Sequence, residues 1–161
     1  MNSVALTKQE GNSDCRAGGP MQVLILHENY CAFMCLWHLT TYFETLPDAV
    51  EIQWYSCTPA DLKAPESFAR AETRAREADV IVFCQSGGGD FSAEVKQWID
   101  GWLPSKSGQE AALGLLLVCG NNKADRTAAY LQGVAERGSM TFLGVGHCAY
   151  EKSHGTTGQA V

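Results

Sequence analysis

"DVIVFCQSGGGDFSAEVKQWIDGWL", residues 79–103, sets the reading of the whole chain. Its first seven residues, 79–85, form an apolar run suited to a strand buried on both faces. Three glycines and a serine follow, and then Val95, Trp98, Ile99, Trp102 and Leu103 recur at i, i+3, i+4, i+7 and i+8. That is the stripe of an amphipathic helix, and Ser92 stands where an N-cap hydroxyl would accept a free first-turn amide. A strand, a Gly-rich turn and a helix make half of a β-α-β unit. The flanking segments must supply the rest.

They do. Upstream, "MQVLILH" (21–27) is a second buried strand, and 30–46 carries Ala32, Leu36, Leu39 and Phe43 at helical spacing. "VEIQWYSC" (50–57) alternates, with Val50, Ile52 and Trp54 inward and Glu51, Gln53 and Tyr55 outward, as an edge strand would. A charged helix with a narrow alanine face is expected over 67–78. Downstream come a strand at 113–120, a helix at 122–138 that Gly138 is placed to stop, and a strand at 140–146. The order βαβαβαβαβ, with connections too long for hairpins, implies an α/β fold with a five-stranded parallel sheet. Right-handed crossovers make the flavodoxin-like order 2-1-3-4-5 the natural one.

Residues 1–20 are polar and aperiodic and read as a flexible leader, with Met21 as an alternative start. Residues 21–147 form the domain, and 148–161 read as a flexible tail too short for a fifth helix. The C-terminal helix therefore looks missing. Part of one sheet face would then lack a cover, so a homodimer, or the leader folded across the gap, is expected.

Bulk composition narrows the partners. A net charge of −6 without clustered Lys or Arg argues against a nucleic-acid partner. No apolar run reaches the length of a membrane span, and the N-terminus lacks a secretory h-region, so no membrane partner and a cytoplasmic location are expected. Seven cysteines cannot pair completely and include no C-x-x-C, which fits reduced thiols. His27, Cys31, Cys35 and His38 are spaced like metal ligands along a helix. Stretched along one helix, they cannot readily close a tetrahedron, and no metal is expected. Cys57, Cys84, Cys119 and Cys148 fall at or after strand ends, and His27 stands near Cys84 as a base for a nucleophilic thiol; no catalytic residue is assigned.

In an open parallel sheet, ligands bind beyond the strand carboxyl ends where the winding reverses. Here that point joins "HENYC" (27–31) to "QSGGGDFS" (85–92), with "CGNNKAD" (119–125) alongside. The segment 85–103, and "VKQWIDGW" within it, resembles the corresponding part of flavodoxin-like NADPH-dependent FMN reductases. That resemblance implies a flavin ring near Ser86, Gly87, Gly88, Gly89 and Phe91, with Glu28, Asn29, Tyr30, Gly120 and Asn121 on the neighbouring loops. The family holds the FMN phosphate on a Ser/Thr- and Gly- or Arg-containing loop after the first strand, whereas Glu28, Asn29, Tyr30 and Cys31 stand here. A carboxylate at that place repels a phosphate. The simpler account of the glycine run is a turn capped by Ser92. Two functions stay open: a small-ligand or protein-binding module that has lost typical FMN phosphate binding, or an FMN-dependent NAD(P)H:quinone or flavin reductase.

Overall fold

Apolar strands without alternation occupy the middle of the sheet, because both of their faces are covered. The computed structural model describes residues 3–7, 19–28, 34, 37, 49–86, 89–118 and 124–148. Six strands run in chain order: β1 (Ser3–Thr7), β2 (Met21–His27), β3 (Ala49–Cys57), β4 (Val80–Ser86), β5 (Ala112–Val118) and β6 (Thr141–Cys148). Three helices are described in full: α1 (Pro65–Glu77), α2 (Ala93–Trp102) and α3 (Ala124–Arg137). The helix expected over 30–46 falls outside the described residues, except that Met34 and Trp37 are helical. Residues 149–161 lie outside them too.

The sheet order is β1-β3-β2-β4-β5-β6. From β2 onward every pairing is parallel, and counted from Met21 the five strands stand in the order 2-1-3-4-5. The sixth strand is a departure from the sequence reading. Ser3–Thr7, inside the stretch read as a flexible leader, pairs antiparallel with β3, from Ser3 opposite Gln53 to Thr7 opposite Ala49. The strand read as an edge is therefore internal. Unpaired amides and carbonyls along an open edge favour such an addition. Tyr55 also departs: read as outward, it packs against the larger core and lies beneath the Arg74 guanidinium, 4.0 Å from its ring centroid. With both faces of β3 half-covered, alternation no longer separates inside from outside.

Alternate residues of the central strands feed two cores. Leu24, Leu26, Ile81, Phe83, Leu113, Leu115 and Leu117 face the helix side with α1, α2 and α3. Val23, Ile25, Ile52, Cys84 and Leu116 form a smaller cluster on the opposite face. The helical stripe of α2 is fully buried: Trp98, Ile99 and Trp102 are each 0% exposed. The two indoles meet edge to face, 5.7 Å between centroids. Ser92 caps α2, its Oγ accepting from the Val95 amide at 3.4 Å.

Lys106 is the unusual core member. It is fully buried, and its Nζ donates to the carbonyls of Arg76 at 3.0 Å and Ala78 at 2.6 Å. A cation placed on the last carbonyls of α1 satisfies acceptors that the helix leaves over and matches its negative end. Gly138, which ends α3, lets the chain pack closely: a Cβ there would sit 2.7 Å from Leu103 Cδ1, so that methyl would have to move.

Two substitutions test this packing in urea denaturation. Trp98→Ala is expected to cost about 3–5 kcal/mol through the cavity it opens. Lys106→Met keeps the apolar stem but strands two carbonyls, and a loss of about 2–4 kcal/mol is expected. A change below about 1 kcal/mol in either would contradict the assigned role.

Candidate functional site

The site begins with register. β2 lies between β3 and β4, so the chain leaves β2 toward one neighbour and returns on the other side, which opens a crevice at the strand carboxyl ends. His27 stands opposite Cys84, and the Glu28 amide donates to the Cys84 carbonyl at 3.3 Å. The described residues that begin the two segments are thus brought side by side.

A cavity of about 180 Å³ opens at this junction. Leu26, Phe83, Phe91, Val95 and Pro59 give it apolar walls, while Glu28, Gln85, Asp90 and Ser92 supply its polar lining. Of these polar residues, Glu28, Asp90 and Ser92 are exposed at the rim and Gln85 is buried, only 2% exposed. Its side chain belongs to the inward series Ile81, Phe83, Gln85 of β4. Its Oε1 meets no hydrogen-bond donor among the described residues. Buried amide oxygens rarely stand unpaired.

Aromatic packing and one loop contact hold the 89–95 wall. The Phe91 ring lies 5.2 Å from Phe83 and 5.7 Å from Tyr130, and Phe83 lies 6.2 Å from Trp98. Thr127 Oγ1 donates to the Gly89 carbonyl at 2.9 Å, tying α3 to the loop. Phe91 is thus a core residue that shows one side to the crevice.

Of the other residues that the sequence assigned to the site, Gly89 is exposed, with open space where a Cβ would stand. Ser86 ends β4. Asn29, Tyr30, Gly87, Gly88, Gly120 and Asn121 lie outside the described residues. Gln85 and Pro59 were missed. Gln85 had a signal: a polar residue at the last inward position of an otherwise apolar strand. Pro59 had none, since nothing local shows that the loop after β3 leans over the crevice.

Nearby groups are tuned away from reactivity. Burial pushes the Cys57 thiol up to about 12, and the neighbouring Asp61 charge adds to the shift. Asp61 is held below the usual carboxylate range by hydrogen bonds from the Thr58 amide and hydroxyl, at 2.8 and 2.9 Å. Glu94, in the first turn of α2, is lowered by its own backbone amide and then by the Ser92 hydroxyl. The cysteines at 57 and 84 are buried, reduced thiols. Among the described residues no group of three or more His, Cys, Asp or Glu side chains is arranged to hold a metal. His27 belongs to β2, while Cys31, Cys35 and His38 lie outside those residues. No described helix is long and apolar enough to cross a membrane.

No protein-family profile matches the chain, and no curated protein matches it by sequence. Solved structures do align. An oxidoreductase from Corynebacterium diphtheriae superposes with a TM-score of 0.53 at 7% identity, over 78% of this chain and 81% of its own. General stress protein 14 of Treponema denticola, solved in complex with FMN, gives 0.50 at 12% identity, over 80% and 85%. A reduced flavodoxin from Megasphaera elsdenii gives 0.48 at 13%, over 78% and 84%. With the strand order, the first two likenesses show a flavodoxin-like fold.

The thiols give a test. A folded pKa raised from 9.0 to about 12 means that Cys57 stays neutral in the fold while the unfolded chain ionises. Its stabilising contribution is therefore complete below pH 9 and declines as pH rises through 12. The stability difference between wild type and Cys57→Ala should shrink over that window. A pH-independent difference would contradict the burial assigned to the thiol.

Proposed function

We propose that this flavodoxin-like domain binds a small ligand in the crevice between β2 and β4, without the phosphate grip used for FMN. One observation carries the reading. The charged side chains among the described residues that line the crevice are both carboxylates, Glu28 and Asp90. At a contact distance of about 4 Å, each would oppose a phosphate charge by roughly 1–4 kcal/mol, depending on the local dielectric. In sequence, residues 28–31 also offer no Ser, Thr, Gly or Arg to cradle a phosphate. These residues do not fit FMN's phosphate.

Size supports the same reading. About 180 Å³ is below the roughly 300–1,000 Å³ of cavities that enclose drug-sized ligands. The walls suit one ring or a short branched chain rather than a dinucleotide-scale cofactor.

A second reading, an FMN-dependent NAD(P)H reductase, is favoured by one observation: the aligned stress protein was solved with FMN. The crevice lies where such a fold receives a ligand, and Gly89 would permit close approach of a ring. The lining carboxylates weigh against it.

Titration of the purified chain with FMN separates the two. No saturable quenching of flavin fluorescence is expected, even at millimolar cofactor. Stoichiometric quenching, or protein purified with bound flavin, would overturn the first reading in favour of the second.

A further inference from the structure

From the unpaired carbonyl oxygen of Gln85 and the acceptors around it, we infer that the crevice takes a small organic cation, an amine or amidine carried on an apolar, ring-sized body. This rests on the crevice as a small-ligand site and adds the chemical class of the ligand. Gln85 is only 2% exposed, lines the cavity, and leaves Oε1 without a donor among the described residues. A buried acceptor left unpaired is costly, so the missing partner is an N–H or O–H donor arriving from the cavity side.

The rim narrows that donor's charge. Glu28 and Asp90 are acidic and no basic residue lines the cavity among the described residues. The amino end of α2 would ordinarily attract an anion through its free amides. Part of that pull is taken up within the helix start itself: the Val95 amide donates to Ser92 Oγ, and Glu94 adds a carboxylate to the first turn. The crevice therefore presents acceptors and negative charge.

The walls narrow the body. Phe83, Phe91, Leu26 and Val95 favour an apolar group over a hydrated metal ion, and the aromatic rings in the wall suit a planar cation. An amidinium on a ring suits all three features: N–H for Gln85, a positive charge beside an acidic rim, and an apolar body for the wall.

The test follows backbone amide signals of the full chain by NMR during titration with benzamidine, neutral benzamide, anionic benzoate and calcium ion. Benzamidine should move the Gln85, Phe91 and Ser92 signals saturably, benzamide should bind at least about tenfold more weakly, and benzoate should leave them unmoved. Gln85→Met, which keeps the volume, should weaken benzamidine about tenfold or more; Gln85→Glu, which keeps the acceptor and adds charge, should bind it at least as well as wild type. Equal shifts from benzamide or benzoate would overturn the cation assignment and leave the crevice as a site. Calcium shifts without benzamidine shifts would make it a metal site instead. If no probe moves these signals, the crevice itself is not a ligand site and both readings fall. An unaltered affinity in Gln85→Met, or weaker binding in Gln85→Glu, would remove the Gln85 oxygen from recognition. The ranking of probes on the wild-type chain decides the ligand class even if a variant does not fold.

Discussion

Parallel pairing of β2 on both sides, with β3 at one edge and β4 at the other, is the constraint on which the molecule depends. A strand buried between two neighbours must be apolar on both faces, and Val23 to Leu26 are all at most 3% exposed. Because the winding reverses across β2, the segments after β2 and β4 cannot both be covered by the same crossover. The crevice is the unavoidable gap. What lines it is then a matter of which residues happen to end the two strands.

Those ends are unusual because the polar group inside is neutral and the charged groups outside are acidic. Gln85 occupies a place where the strand's own pattern asks for an apolar side chain. Replacing it with one would remove an uncompensated acceptor, so its presence marks a departure from what stability alone would select. The support behind it is stiff. Phe83, Phe91, Trp98 and Trp102 form a continuous aromatic chain from the crevice to the lower end of α2. The buried Lys106 ammonium ties the segment after α2 to the last turn of α1. A wall anchored in this way holds its side of the cavity without a bound ligand.

Most of the fold was legible because its signals are local. Buried runs at 21–27 and 79–85 match β2 and β4 within a residue, and the Trp98–Trp102 stripe with Ser92 fixed α2. The order 2-1-3-4-5 followed from handedness. What escaped depended on distant contacts. The strand at Ser3–Thr7 lies in a polar segment with little apolar periodicity, and its partner among the described residues is β3, more than forty residues away. Tyr55 looked outward because alternation assumes one wet face, and Arg74 of α1 covers that face. Topology brings the ends of β2 and β4 to one crevice, as the Glu28 amide on the Cys84 carbonyl and a lining that includes Glu28, Gln85, Asp90, Phe91 and Ser92 show. The resemblance to FMN reductases pointed to the glycines, whereas an unpaired buried oxygen that lines the cavity belongs to Gln85, two residues before them. Lys106 could not be seen as core, since a lysine between Ser105 and Ser107 reads as surface until its two carbonyl partners are brought in by the fold.

The most direct test of the account is the neighbour of β4 in solution. Backbone NOEs should link Leu26 with Phe83 and His27 with Cys84, and the Glu28 amide should show a through-bond coupling to the Cys84 carbonyl. If β4 instead shows its cross-strand NOEs to β3, with Cys57 facing Cys84, the winding does not reverse at β2. The crevice and every function drawn from it would then be wrong.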